Sequence, residues 1–546
     1  MTPLTVGESL SRDIRGQQIY RFSVAAEGEL LVTVENLGRD TVLTVFDAAG
    51  SQLLRTATWR GTEGFYRAVL PAGDSLLLQV TSDEAIAPPG QFRISIRPID
   101  KTDPDYDAEL AMGIGADLRL RHHTRQADAR QAALEQFELA AAGFEAIGNA
   151  PRHADALYEA ADACLALRQH RRAMELYAEA EALWNELGDI RGIAAARNMR
   201  GLLSWYLNEP HAAIQLFTEA AELRAALGDE MFLAKALNNT GLVYREIGDT
   251  RAAIPYFSDA LHYLQGSAGD ILSVDTQDLD FDSLEVPPLL YDAVITIHNL
   301  GWSYEVLADV NQAERILEQG LELSRYLDNK TIEAKLRSTL GRVKYRFGDL
   351  QSALEYLDEA LIYFTDVQRD EIWESHVRQN KALVYLAANA NQRAELELEK
   401  ALRLRSVDVD PVGHADTLAE LADLALKTGN PERAGQLVQQ ALEILGEDTA
   451  YARTKAELHD IAARVLRNSG DYRAAKARHV QAISLYETAA YARGLAEAKT
   501  EYAATLAASG QVDTALNELN SALALAEQVA DRLLQFKIAV SRGRIQ

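Results

Sequence analysis

Few residues in this chain could do chemistry, and their spacing gives them little help. The one cysteine, Cys164, would need a neighbouring base to act as a nucleophile. It follows Ala161 by three residues in an alanine-rich helical stretch, where a small apolar residue packs. His122 and His123 are adjacent, so on a helix they face different ways and make a poor metal pair. Gly113 and Gly115, in GIGADL, lack the third glycine and the preceding strand of a dinucleotide-binding loop. Asp278, Asp280 and Asp282 alternate as calcium ligands would. An EF-hand loop, however, needs glycine sixth and glutamate twelfth, and here those are Ser283 and Leu289. There is no P-loop motif and no HExxH. No catalytic, cofactor-binding or metal-ligating residue is assigned, and the expectation is a chain that binds rather than reacts.

Groups suited to binding are more plentiful. Asn198, Trp205, Asn238, Asn239, Arg245, His298, Asn299, Trp302, Arg337, Arg342 and Asn380 fall on successive helical stretches at related positions. An asparagine amide both donates and accepts, which suits it to holding an extended peptide backbone. The stretch KLRSTLGRVKYR, from Lys335 to Arg346, is basic within a chain of net charge -26. These residues form a candidate peptide-binding groove, and its position depends on the elements that carry it.

Those elements are marked by alanines. Ala133, Ala173, Ala213, Ala253, Ala313, Ala353, Ala394, Ala434, Ala475 and Ala515 recur every 40 or 41 residues, with one step of 60. Seven residues after each stands another small residue, from Ala140 to Ala522, with Gly320 the one glycine. Between them lies a large one, from Phe137 to Leu519, apolar in all but His479. Offsets of three, four and seven place all three on one helical face. Twelve residues before each alanine comes a further small position: Ala161, Gly201, Gly241, Gly301, Gly341, Ala382, Ala422, Ala463 and Ala503. The first repeat departs, since Arg121 occupies that place. The spacing predicts ten antiparallel helix pairs from about residue 106 onward. In stacked pairs the first helices line the concave face, which would hold the groove. The 60-residue step contains an acidic insertion at about 265–288, expected to be a surface loop. The next small position falls on Gly543, so the chain stops at Gln546 inside a first helix. That end is expected of a truncated chain or of one part of a longer polypeptide.

The first hundred residues read differently. Alternating runs such as ELLVTVEN, TVLTVFD, SLLLQVTS and QFRISIRP are separated by turn signals such as NLGRD, DAAGS and APPGQ. Such alternation predicts a small antiparallel β-sandwich over 1–100, ended by the polar IDKTDPDYD. The strong negative charge argues against nucleic acid or an anionic membrane as partner. No apolar run approaches the roughly 18 residues that span a bilayer. The N-terminus does not read as a signal peptide, so a cytoplasmic location is expected unless a signal was removed.

The ruler of small residues resembles the tetratricopeptide (TPR) pattern, with a period of 40 in place of the usual 34 or so. The resemblance implies a right-handed TPR-type α-solenoid of about ten pairs, covering 106–546. The opening LTVGESL, with GQQIYRFSVAAEGELLVTVEN and APPGQFRISIRPID, looks like the pre-peptidase C-terminal type of bacterial β domain. In this order the parts resemble the N-terminal half of bacterial TPR–CHAT proteins, in which a caspase-like CHAT protease follows the repeats. The resemblance implies a sensor or regulatory arm whose partner is a protein or peptide, with the protease in cis or in trans. The alternative is a stand-alone ligand- or peptide-sensing TPR regulator.

Overall fold

The computed structural model describes the chain except residues 1, 4, 8, 15–18, 27, 38–40, 58–64, 72, 83–89, 122–126, 208, 248, 266–289, 308, 328, 408–409, 447–450, 490, 529–531 and 546. The acidic insertion and the pair His122–His123 lie outside the described residues. The chain divides into two compact units inside one helix, at Ala236 and Leu237.

The first unit opens with a β-sandwich. One sheet has the order β1 (Thr2–Pro3), β3 (Ile19–Ala26), β8 (Gly73–Ser82), β5 (Thr41–Phe46), β6 (Gln52–Ala57). The other has the order β2 (Ser9–Ile14), β9 (Gly90–Pro98), β4 (Leu30–Leu37), β7 (Phe65–Leu70). Among the described residues all strand pairings are antiparallel except β1 with β3. Phe22, Val32, Val34, Leu43, Val45, Leu78, Val80, Phe92 and Ile94 alternate along their strands and fill the space between the sheets. The alternation misses β1, β2 and β6. All three are edge strands, and an edge needs fewer apolar residues than a central strand.

The sandwich is joined to the helices by buried charge. Glu109, on α1 (Tyr106–Arg121), has a fully buried side chain. Arg67 of β7 reaches it at 3.1 Å, and Arg152 of α3 (Ala150–Ala166) grips it at 2.6 and 3.0 Å while also meeting Asp155 at 3.3 Å. Asp117 of α1 accepts a bond from the backbone N–H of Arg55 at 2.7 Å. The rest of the first unit comprises α2 (Ala127–Ala146), α4 (His170–Leu187), α5 (Ile190–Tyr206), α6 (Pro210–Ala226) and the start of α7 (Glu230–Glu246).

The second unit takes the rest of α7 and the helices that follow. These are α8 (Thr250–Gln265), α9 (Leu290–Val306), α10 (Val310–Tyr326), α11 (Lys330–Phe347) and α12 (Leu350–Ile362). Then come α13 (Glu371–Ala387), α14 (Asn391–Leu404), α15 (Pro411–Lys427), α16 (Pro431–Leu445) and α17 (Ala452–Asn468). The last are α18 (Tyr472–Thr488), α19 (Ala492–Ala508), α20 (Val512–Gln528) and α21 (Arg532–Ile545). The chain is thus a helical repeat array behind a β-sandwich. Asp189, Asp309, Asn329, Asp349, Asp410, Asn430 and Asp471 each cap a helix by accepting a first-turn N–H. Gly348, Gly429, Gly470 and Gly510 close turns between paired helices at φ of +80 to +84°, a region that favours glycine.

The small first-helix positions are small because a large second-helix residue sits on them. A Cβ added at Gly201 would stand 2.9 Å from the Phe217 ring, and one at Gly241 would stand 2.7 Å from Phe257. At Gly301 and Gly341 it would meet Leu317 at 2.5 Å and Leu357 at 2.7 Å. In the first repeat Gly115, not Arg121, does this work, since its Cβ would lie 2.7 Å from Phe137. The longer α1–α2 connection moves the register by six residues, which a fixed offset of twelve cannot follow. One step of 41 residues also has a local cause. Between α12 and α13 the helix widens into a π-turn at Tyr363–Val367, which absorbs one extra residue.

Candidate binding surfaces

In the second unit the expected groove residues are spread over α7, α9, α11 and α13, and most are held by side chains of neighbouring helices. The Asn299 amide donates to Asn238 Oδ1 at 3.0 Å and accepts from Arg245 at 3.4 Å. His298 shares a 2.9 Å hydrogen bond with the Thr339 hydroxyl, and Asn380 donates to Ser338 Oγ at 3.1 Å. These contacts form a polar ladder between consecutive first helices. His298 and Asn299 are buried, where exposed positions were expected. Asn238 and Asn239 are half-buried.

Arg337 does not face the groove. It bonds Glu333 on its own helix and Glu359 on α12, both at 2.6 Å. It stands four residues before its small residue. Arg378 and Lys499 stand at the same place and reach Glu397 on α14 and Glu518 on α20. This register position ties a first helix to its own second helix, as Arg197 and Glu219 do in the first unit.

Trp302 lies between two cations, with Arg245 4.2 Å and Arg342 5.7 Å from its ring. His298 packs edgewise on Trp373, and Lys335 sits 4.7 Å over that ring. Burial, with Arg245 and Lys335 nearby, pulls the His298 imidazole down to about 3, so it is neutral at physiological pH. Burial, reinforced by Arg342, pulls Arg245 down to about 10. Glu305 answers part of this charge by holding Arg342 at 3.1 Å and Arg346 at 2.5 Å.

A large hollow in the second unit lies further along the chain than the groove residues suggested. It is a channel of about 780 Å³ lined by α13, α15, α17, α19, α21 and neighbouring residues. Leu383, Leu386, Phe536 and Val540 supply apolar wall, Tyr486 and Tyr491 aromatic wall, and Glu420, Glu457 and Glu497 carboxylates. Burial pushes the Glu420 carboxyl up to about 7, against a 3.0 Å hydrogen bond from the Gln379 amide. Confinement, with Asp416 and Glu420 adjacent, pushes Glu457 up to about 8. The Glu457 side chain still reaches channel solvent, which screens part of this repulsion. Arg405 at the end of α14 braces the wall by donating to Ser375, Gln379 and Asp410 at 2.6, 2.9 and 3.1 Å. Arg453 stacks 4.4 Å over Tyr491 and reaches Glu246 of α7 at 3.3 Å. The carboxylates were legible in principle. Glu420 and Glu501 stand two residues before their small residues, and Asp416, Glu457 and Glu497 six before theirs.

One cluster has the outline of a catalytic relay. His479 bonds Asp460 through Nδ1 at 3.0 Å and Thr505 through Nε2 at 2.9 Å. Both His479 and Thr505 are fully buried, and the hydroxyl also donates to the Glu501 carbonyl, so no substrate reaches it. The trio cross-links α17, α18 and α19, and it explains the one polar residue in the apolar series. Cys164 is likewise buried, and burial pushes its thiol up to about 11.

In the first unit Trp205 packs against Tyr206 on α5 and is half-buried, while Asn198 lines a separate small hollow.

No family model matches the chain. No curated protein matches it either. Similar solved structures include BtubC (BKLC) from P. vanneervenii, 20% identical, covering 44% of this chain and 90% of that one, with a TM-score of 0.32. The apo form of RapI is 14% identical and covers 54% of this chain and 98% of that one, with a TM-score of 0.39. Likeness at this level says nothing of partner or site, and the description of the repeats rests on the chain's own helices.

Proposed function

We propose that the chain is a protein-interaction scaffold. Its second unit holds a protein or peptide segment in the channel between α13 and α21, and it serves as the sensor or regulatory arm of a CHAT-type, caspase-like protease in cis or in trans. The observation that carries the scaffold reading is the channel itself. Its volume of about 780 Å³ lies in the range of ligand-holding clefts, and its wall mixes apolar, aromatic and charged groups as a peptide requires. Phe536, 66% exposed, offers an apolar contact beside it. A segment bearing lysine or arginine would pair with Glu420 and Glu457, whose carboxyls are pushed up by burial first and by neighbouring carboxylates second. The protease assignment is supported by the order of parts, a β-sandwich followed by forty-residue repeats.

Two experiments separate these claims. The chain is co-expressed with the caspase-like protease of its own genome and resolved by size exclusion, with peptidase turnover followed. Co-elution and altered turnover are expected, while separate elution with unchanged turnover removes the protease assignment. A basic-peptide array is then probed with wild-type chain and with Glu457→Arg. Peptides that bind wild type and lose the variant support the channel, and equal binding sinks it.

A further inference from the structure

We propose that the face of the second unit carrying Arg245, Trp302, Lys335 and Arg342 is a second docking surface. It takes an acidic segment of a partner protein, lying extended with a carboxylate at every third residue. The surface is independent of the channel, whose wall begins at α13. Its elements are α7, α9 and α11. Lys335 and Arg342 stand seven apart on α11 and so share one side of that helix. Ring contacts join the elements: the Arg245 guanidinium lies 4.2 Å from Trp302, and His298 lies 6.1 Å from Trp302 and 6.5 Å from Trp373, over which Lys335 sits.

The chain has 81 acidic and 55 basic residues, yet this face is short of carboxylates. Among the described residues Arg245 and Lys335 are in no ion pair; Arg245 donates to the neutral Asn299 amide at 3.4 Å. Glu246, beside Arg245 in sequence, is turned to Arg453. Asp370, whose charge reaches Lys335, accepts the N–H groups of Ile372 and Trp373 as the cap of α13. Arg342 and Arg346 share one buried carboxylate, that of Glu305. Burial pulls both Arg245 and Lys335 below their ordinary values, and Arg342 adds repulsion at Arg245. Like charges gathered partly out of water carry a cost, and a carboxylate seated between them removes it.

Two features favour a peptide over a nucleic acid. Base stacking needs an open aromatic face, and both indoles are already engaged: Trp302 by Arg245 and Arg342, Trp373 by Lys335 and by the Phe364 ring stacked at 5.7 Å. A net charge of -26 also repels a long polyanion, while a short segment meets only the local surplus. The spacing follows from the helices. Direct bonds join α7 to α9 and α9 to α11, from Asn299 to Asn238 and from His298 to Thr339. Helices in such contact lie about 8–10 Å apart. A polyproline II chain turns once in three residues and rises about 9 Å in doing so, which brings every third side chain to one side at the interval of the helices. A β-strand repeats after two residues and about 7 Å, which falls short.

The test is fluorescence anisotropy on the full chain at low salt with three labelled probes. One is a proline-rich peptide with glutamate at every third residue. The second has the same composition with its glutamates contiguous, and the third is an oligouridylate of equal charge. The first peptide is expected to bind wild type and to weaken about five-fold or more in Lys335→Met and, independently, in Arg245→Gln, which keeps a donor for Asn299. Thermal melts of both variants check that the fold is intact. The contiguous peptide should bind wild type at least about three-fold more weakly, and high salt should weaken both. The proposal is overturned if the first peptide does not bind at millimolar concentration, if both variants bind it as wild type does, or if the contiguous peptide binds as tightly. Tighter binding of the oligouridylate than of either peptide overturns it in favour of a nucleic-acid surface.

Discussion

Two stretches of the second unit use one scaffold for opposite ends. On α7, α9 and α11 the inner positions hold Arg245, Trp302, Lys335 and Arg342, stacked and basic. On α15, α17 and α19 they hold Asp416, Glu420, Glu457 and Glu497, crowded and acidic. The residues that set helix packing do not change between them, since Gly301 and Gly341 do the same work as Ala422, Ala463 and Ala503. Only the register positions between the packing residues differ. The array separates the residues that make it fold from those that decide what it touches.

The largest expected effect attacks the brace of the acidic stretch. Arg405→Met removes bonds to Ser375, Gln379 and Asp410 from a nearly buried guanidinium. It should cost about 3 kcal/mol in urea unfolding. A loss under about 1 kcal/mol would mean that the carboxylates need no brace. Trp302→Ala strikes the basic stretch and should cost about 2 kcal/mol, less than a fully buried tryptophan because Trp302 is half-buried.

The two stretches should also respond oppositely to pH. Glu420 and Glu457 have folded pKa values of about 7 and 8, above the ordinary 4.5. The stability they contribute is complete below about 4.5 and is lost as pH rises through 7 and 8. His298 has a folded value of about 3, below the ordinary 6.5, so its contribution is present above 6.5 and is lost as pH falls toward 3. Melting temperature should therefore fall as pH rises from about 4.5 to about 8, and fall again as pH drops below about 4.5 toward 3. Glu457→Gln should lessen the fall above pH 4.5, and His298→Asn should lessen the fall below it. If one variant changes both limbs alike, the stretches are not independent. The smallest effect is expected at Glu246→Gln. Its partner Arg453 and Glu246 itself are each about half exposed, so the loss should stay below about 1 kcal/mol and vanish in high salt.

The sequence showed the packing grammar far better than the surface. A small residue opposite a large one obeys fixed offsets along a helix, so the ruler of alanines found nearly every pair. It failed at Gly115, where a longer connection shifted the register, and it passed over edge strands whose inner faces are barely apolar. Which side chains remain open is a different kind of question. Asn299 and His298 looked available because their own helix leaves them on its free face, but the neighbouring first helices engage them, α7 at Asn299 and α11 at His298. Arg337 looked like a groove residue because a lone helix cannot show its partner on α12. The Glu109–Arg152 grip was hidden for the same reason, as it joins residues 43 apart through a fold that neither local sequence contains.

The polar ladder between first helices bears on how the array comes apart. Stacked repeats joined by apolar contact alone can fray from an end, each pair leaving almost independently. Here Asn238 is bonded to Asn299, His298 to Thr339, Ser338 to Asn380, Gln379 to Glu420 and Asp416 to Thr454. Each rung is directional and breaks when its neighbour tilts. Melting a single pair therefore strands buried donors and acceptors on the next, which raises the boundary energy between folded and unfolded segments. From α7 to α17 the stack should give way as one cooperative block.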